Sequence, residues 1–216
     1  MIVSASILAA DFTKLGEECE RVLANGADWI HVDVMDGQFV SQLTMGPQFV
    51  KALRARLGPD VFLDCHLMVA DPKRWAGEFA LSGASSVTVH VEAFSGSDDL
   101  VDFLKSFKNE YKNVKIAVSI KPDTKVAEIP CEALPLLDMV LVMTVEPGQG
   151  GQSMIMECLE KCTELKSQFK NLQVQVDGGV DVNTVLLLPK DVDVVVAGTA
   201  IFKSPDMEDA IRRLKV

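Results

Sequence analysis

The chain has 216 residues, 48% of them hydrophobic and 24% charged, which supplies a sizeable core and excludes a disordered chain. Thirty-one acidic against 21 basic residues give a net charge of −10, with no cluster of Lys or Arg, so a nucleic-acid partner is not expected. The same balance repels phosphorylated ligands at long range, so any phosphate site has to be built locally from backbone N–H groups.

In chain order, short β-branched runs alternate with helix signals. A strand is expected at 2–8. Asp11 then caps a helix carrying Phe12, Leu15, Cys19 and Val22, ended by Asn25-Gly26. A strand at 28–34 precedes a helix that opens at Gly46-Pro47. A strand at 61–67 precedes one that opens at Asp71-Pro72, a cap followed by proline at the first helical position. Strands at 85–91 and 114–120 flank a helix within 95–111, and strands at 139–143 and 172–176 flank one within 155–169. A short helix follows Asp181, a strand covers 192–197, and Ser204-Pro205 opens the last helix. The strands are near-continuous in apolar residues, as parallel strands covered by helices must be. Eight β-then-α units without a linker predict a single-domain α/β chain, a (β/α)8 TIM barrel over 1–216, whose active site sits where strands end and βα loops begin.

No apolar run reaches the ~18 residues of a membrane span, and residues 1–8 are not expected to act as a signal or transit peptide. Five cysteines, an odd number without Cys-x-x-Cys, read as core thiols of a cytoplasmic protein.

All three histidines fall on the strands, toward their C-terminal halves. His31 and Asp33 share one face of their strand because side chains alternate with period two. His66 comes from the neighbouring strand and Asp177 ends the seventh. Two readings stand on spacing alone. One is a site for a divalent ion such as Zn2+, Fe2+, Mn2+ or Co2+. The other is a buried Asp/His hydrogen-bond network. Three glycine segments, 148–152, Gly178-Gly179 and Gly198-Thr199, follow strands six, seven and eight. They read either as a phosphate cup of backbone N–H groups or as ordinary turn glycines. Met35, Met68 and Met143 near strand ends suit a pocket or plain core filling. Lys121 suits a Schiff base or a solvated loop charge, and Asp36 a turn before Gly37.

Together these segments resemble the ribulose-phosphate 3-epimerase family along the whole chain. The matching motifs are Ser4-Ala-Ser-Ile-Leu-Ala-Ala-Asp-Phe12, His31-Val-Asp-Val-Met-Asp-Gly37, Gly46-Pro47, His66-Leu-Met-Val69, Val145-Glu-Pro-Gly148 with Gly150-Gly-Gln152, Val176-Asp-Gly-Gly-Val180 and Gly198-Thr-Ala-Ile-Phe202. The resemblance implies one divalent metal per chain held by His31, Asp33, His66 and Asp177, with both aspartates also acting as acid and base. It implies substrate contacts from Ser6, His66 and Asp177. It implies phosphate binding around Gly178, Gly179, Gly198 and Thr199, helped by Gly148, Gly150, Gly151 and Gln152. The activity implied is inversion of C3 of D-ribulose 5-phosphate to D-xylulose 5-phosphate, in the pentose phosphate pathway, by a homo-oligomer. A C3-epimerase of a six-carbon 2-keto sugar phosphate is the alternative, a metal-free phosphosugar lyase or decarboxylase a further one, and a non-catalytic phosphosugar-binding barrel the last. The sequence departs from the family's usual pattern at Ser41-Gln42, Gln149 and Thr199.

Overall fold

The computed structural model describes residues 1–216. Its strands are Ile2–Ser6 (β1), Trp29–Met35 (β2), Phe62–Met68 (β3), Ser86–His90 (β4), Lys115–Ile120 (β5), Met139–Met143 (β6), Gln173–Asp177 (β7) and Val194–Ala197 (β8). All neighbours pair in parallel and β1 closes on β8, so the expected (β/α)8 barrel is the fold. The helices are Leu15–Ala24 (α1), Pro47–Leu57 (α2), Pro72–Leu81 (α3), Ser97–Glu110 (α4), Leu159–Gln168 (α5), Thr199–Phe202 (α6) and Met207–Leu214 (α7). After β5 and β7 the chain makes only 3-10 turns.

Two helix starts differ from expectation. Asp11 caps a 3-10 turn, Phe12–Lys14, and not α1 itself; its carboxylate accepts from the Thr13 N–H at 2.9 Å. The tighter winding turns Phe12 to solvent, 51% exposed, away from the face that buries Cys19 and Val22. The last helix is capped by Asp206, whose carboxylate accepts from the Asp209 N–H at 2.9 Å. The Ser204 hydroxyl donates to the Asp206 carbonyl at 2.7 Å and so serves the preceding turn.

Strand alternation sorts the barrel into two environments. Val3, Ala5, Ile30, Val32, Leu63 and Cys65 face the helices and join one continuous apolar core. The inward set begins at the N-terminal end with an apolar plug in which the Trp29 and Phe62 rings stack at 4.0 Å, beside Ala117, Met139 and Val194. Above it lie buried polar groups, among them Ser4, His31, Asp64 and Gln175. Register places Asp33 beside His66, one pair closer to the strand C-termini than His31 beside Asp64.

The N-terminal end carries a fourfold device. The residue just before each even strand accepts, through its side chain, the N–H of the second residue of the preceding odd strand. Val3 donates to Asp28 at 2.8 Å, Leu63 to Ser85 at 3.1 Å, Ile116 to Asp138 at 3.0 Å and Val174 to Asp193 at 2.7 Å. In each case the accepting residue's own N–H returns a bond to the same partner's carbonyl. A helix-borne or helix-terminal cation reaches every one of these side chains: Lys215 to Asp28, Arg54 to Ser85, Lys108 to Asp138 and Lys166 to Asp193.

Removing one clamp strands a backbone donor, which costs about 1–3 kcal/mol. Asp138→Ala is expected to lower the urea unfolding free energy by about that amount, whereas Asp138→Asn, which keeps an acceptor oxygen, retains most of the stability. Equal stability of the alanine variant and the parent would refute the clamp.

Candidate active site

Four side chains from three strands converge at the C-terminal end of the barrel. β2 contributes His31 and Asp33, β3 contributes His66 and β7 contributes Asp177. One ligand atom from each lies within 4.8 Å of all the others. His31 Nε2 stands 3.3 Å from Asp33 Oδ1 and 3.7 Å from Asp177 Oδ2, and His66 Nδ1 stands 3.5 and 3.6 Å from the same two oxygens. These two ring nitrogens are buried and make no hydrogen bond.

The other ring nitrogens of the two histidines, and Asp33 Oδ2, are occupied. His31 Nδ1 pairs with Asp64 Oδ2 at 2.8 Å, and that oxygen also accepts from Ser4 Oγ at 3.1 Å and Gln175 Nε2 at 2.7 Å. His66 Nε2 meets His90 Nε2 at 2.9 Å, and His90 Nδ1 meets Glu92 at 3.0 Å. Ser6 Oγ donates to Asp33 Oδ2 at 2.6 Å, which leaves Oδ1 turned to the histidines. Asp64 and Glu92 are site-supporting residues that sequence reasoning did not pick out, and His90, noted there with the other histidines, was given no role. A lone acid amid the apolar residues of β3 was the available signal for Asp64.

Electrostatics follow from burial and pairing. Burial by itself lowers the His31 imidazole, but the Asp33 and Asp64 carboxylates outweigh it and hold it well above the usual histidine range. His66 is raised for the same reason, by Asp177 and Asp33 against burial. Burial opposes ionisation of Asp33, yet the facing His31 holds its carboxyl well below the usual range. His90, by contrast, is pushed down to about 4 by burial.

The donor set fits a divalent ion. Donor atoms about 2.1 Å from one tetrahedral ion lie about 3.4 Å from one another, and the four His–Asp separations run from 3.3 to 3.7 Å. Those distances are too long for good hydrogen bonds and right for co-ligands. Two imidazoles and two carboxylates suit borderline ions such as Zn2+ or Fe2+.

Above the cluster opens a cavity of about 890 Å3. Asp33 and Asp177 line its floor, with Ser6 and the thioethers of Met35, Met68 and Met143. Gly148, Gly150, Gly151, Gln152, Gly178, Gly179, Gly198 and Thr199 line the same cavity, so the structure brings all three glycine segments to one place. His31 and His66 lie beneath the floor, with no exposed surface. The N–H groups of Gly178, Gly179 and Gly198 make no hydrogen bond within the chain. Gly179 has φ +63°, and a Cβ there would come within 2.4 Å of the Met154 backbone nitrogen, so no other residue fits. Gln152 folds its amide back onto the Glu146 and Gln149 carbonyls at 2.7 and 2.8 Å and so closes its own loop. Lys121 lies outside this cavity, its Nζ 4.1 Å from the centre of the Phe39 ring. Asp36 accepts from the N–H groups of Gln38, Phe39 and Ala70, as a turn residue should.

Comparison with known proteins agrees with this geometry. Residues 2–202 match the model of the ribulose-phosphate 3 epimerase family. A ribulose-phosphate 3-epimerase of Eremothecium gossypii is 43% identical, over 99% of this chain and 91% of that one. One of Schizosaccharomyces pombe is 42% identical, over 99% and 92%. The crystal structure of KGPDC from Streptococcus mutans superposes with a TM-score of 0.70 at 19% identity, over 99% of this chain and 95% of that one, a likeness of fold alone. On the family match and the two near-full-length relatives, the chain belongs to the ribulose-phosphate 3-epimerase family and is an isomerase.

Proposed function

We propose that the chain inverts C3 of D-ribulose 5-phosphate to give D-xylulose 5-phosphate, with Asp33 and Asp177 as its two proton-transfer groups. The observation that carries this reading is a pair of carboxylates on different strands, at the floor of one cavity, over two imidazole nitrogens with no protein partner. Inversion next to a carbonyl removes a proton from one face and returns one to the other. Asp33 extends from β2 and Asp177 from β7, so each can serve one face of a substrate between them. Ser6 holds Asp33 in one rotamer through its 2.6 Å hydrogen bond, which keeps the acid from swinging across the site. His31, Asp33, His66 and Asp177 would hold one divalent cation, Fe2+, Zn2+, Mn2+ or Co2+. Such an ion, when bound, supplies positive charge beside the reacting carbonyl and relieves the repulsion between the two carboxylates.

The far end of the substrate needs a separate anchor. Free N–H groups at Gly178, Gly179 and Gly198 support a phosphate site there, with Thr199 and loop 148–152 closing its sides. Binding energy at that end orients C3 between the carboxylates.

Asp33→Asn and Asp177→Asn are each expected to lower kcat by about 100-fold or more, the usual span of a lost acid–base group. In deuterated water the two variants should differ in which epimer still exchanges its C3 hydrogen. Retention of near-normal turnover by either would refute the pairing.

Metal affinity should rise with pH. His31 and His66 are raised in the metal-free protein, so protons compete for their nitrogens at neutral pH and are displaced on binding. Chelator-buffered zinc titrations at pH 6 and pH 8 check this, and a pH-independent affinity would contradict it.

A third measurement concerns the phosphate end. Free ribulose should lose most of the kcat/KM seen with its 5-phosphate. Comparable efficiency on the two sugars would argue against the cup.

A further inference from the structure

We propose that Glu92 and His90 act as positioning residues that fix the tautomer of His66, leaving its Nδ1 lone pair for the cation. This rests on the metal-binding reading above. Two ring nitrogens meet at 2.9 Å between His66 and His90, both fully buried. One of them must donate and the other accept, so two opposite arrangements of protons fit that contact alone.

The next link decides between them. His90 Nδ1 lies 3.0 Å from Glu92 Oε2, and a carboxylate only accepts. The proton of His90 is therefore on Nδ1, its Nε2 is the acceptor, and His66 donates from Nε2. The single neutral-ring lone pair of His66 is then on Nδ1, the nitrogen that faces Asp33 and Asp177. The carboxylate is itself fixed from the other side. Its Oε1 accepts from the Lys121 N–H at 2.7 Å and from the Thr124 hydroxyl, which ties the β5 loop to the relay. His31 reaches the same state more directly, through Asp64 on its Nδ1. The two imidazoles thus present opposite nitrogens, Nε2 and Nδ1, to one point.

A near-isosteric change should reverse the relay. In Glu92→Gln the Lys121 N–H, which can only donate, holds the amide oxygen on its side and turns the NH2 toward His90 Nδ1. His90 must then accept at Nδ1 and donate from Nε2. That places the proton of His66 on Nδ1, where it blocks the ligand position. Glu92→Ala imposes no direction, and His90 can still adopt the competent form.

The test measures zinc affinity by competition with a chromophoric chelator, and records side-chain 15N shifts of His66 and His90 in the zinc-loaded protein. Glu92→Gln is expected to weaken zinc binding by about 10–100-fold, the usual cost of a lost partner to a ligating histidine. Glu92→Ala should weaken it less. Thr124→Val, which removes only the loop bond, should leave zinc affinity within about twofold, far below that range. The parent should show His90 protonated at Nδ1 and bare at Nε2. Parent-like zinc affinity in Glu92→Gln, a loss in Glu92→Ala equal to or greater than that in Glu92→Gln, or a proton on His90 Nε2 in the parent would each overturn the proposal. If the parent binds neither zinc nor Fe2+, Mn2+ or Co2+, the metal-binding reading fails, and the His90 shifts in that same protein still decide the relay.

Discussion

One carboxylate oxygen holds four strands together beneath the site. Asp64 Oδ2 on β3 receives His31 from β2, Ser4 from β1 and Gln175 from β7. A buried charge is tolerated when hydrogen bonds satisfy it; three donors meet Oδ2, while the buried Oδ1 has no partner. The arrangement gives a rigid polar floor across a barrel interior that would otherwise be filled with apolar side chains. His31 is oriented by that floor, so that its unpartnered Nε2 faces Asp33 and Asp177.

The net charge of −10 and the acidic cluster pose one problem at two scales. Whole-molecule repulsion of a phosphorylated ligand is screened within about 8 Å at physiological salt. Inside the cavity, backbone N–H groups can offer partial positive charge without adding a titratable cation next to the Asp33 and Asp177 carboxylates. A lysine in their place would bring a full positive charge beside Asp177. Glycine at 178 and 179 is the residue that permits so close a backbone approach, as the 2.4 Å clash of a Cβ at Gly179 shows.

The barrel was legible in sequence because strands buried on both faces are written in long apolar runs. Period two puts His31 and Asp33 on one face, and the family resemblance supplies the grouping of that pair with His66 and Asp177. Helix starts were less legible. Asp11 and Asp206 are both good caps, and only tertiary packing decides that the first opens a 3-10 turn. The roles of Asp64 and His90 were hidden for a different reason. Their partners sit on other strands, and which side chains meet depends on register and reach, which no local pattern records; His66 stands level with Thr88, yet its ring reaches His90. Glu92 looked like any loop acid, although its contacts reach a histidine and a loop 29 to 32 residues further on. The four Asp and Ser clamps lie far apart along the chain and share no motif.

Those clamps have a consequence for how the barrel reaches its register. A parallel strand that slips by one residue turns its whole inward set outward, so eight seams are eight chances to misalign. The clamps join β1 to β2, β3 to β4, β5 to β6 and β7 to β8, always within a pair adjacent in sequence. Each pair can find its alignment by a local loop closure before any distant contact forms. Four seams remain to be settled as the sheet curls shut, and the quarter-barrel becomes the unit of assembly. A chain cut after β2, β4 or β6 would leave every clamp whole within one fragment, while a cut after β1, β3, β5 or β7 would divide one.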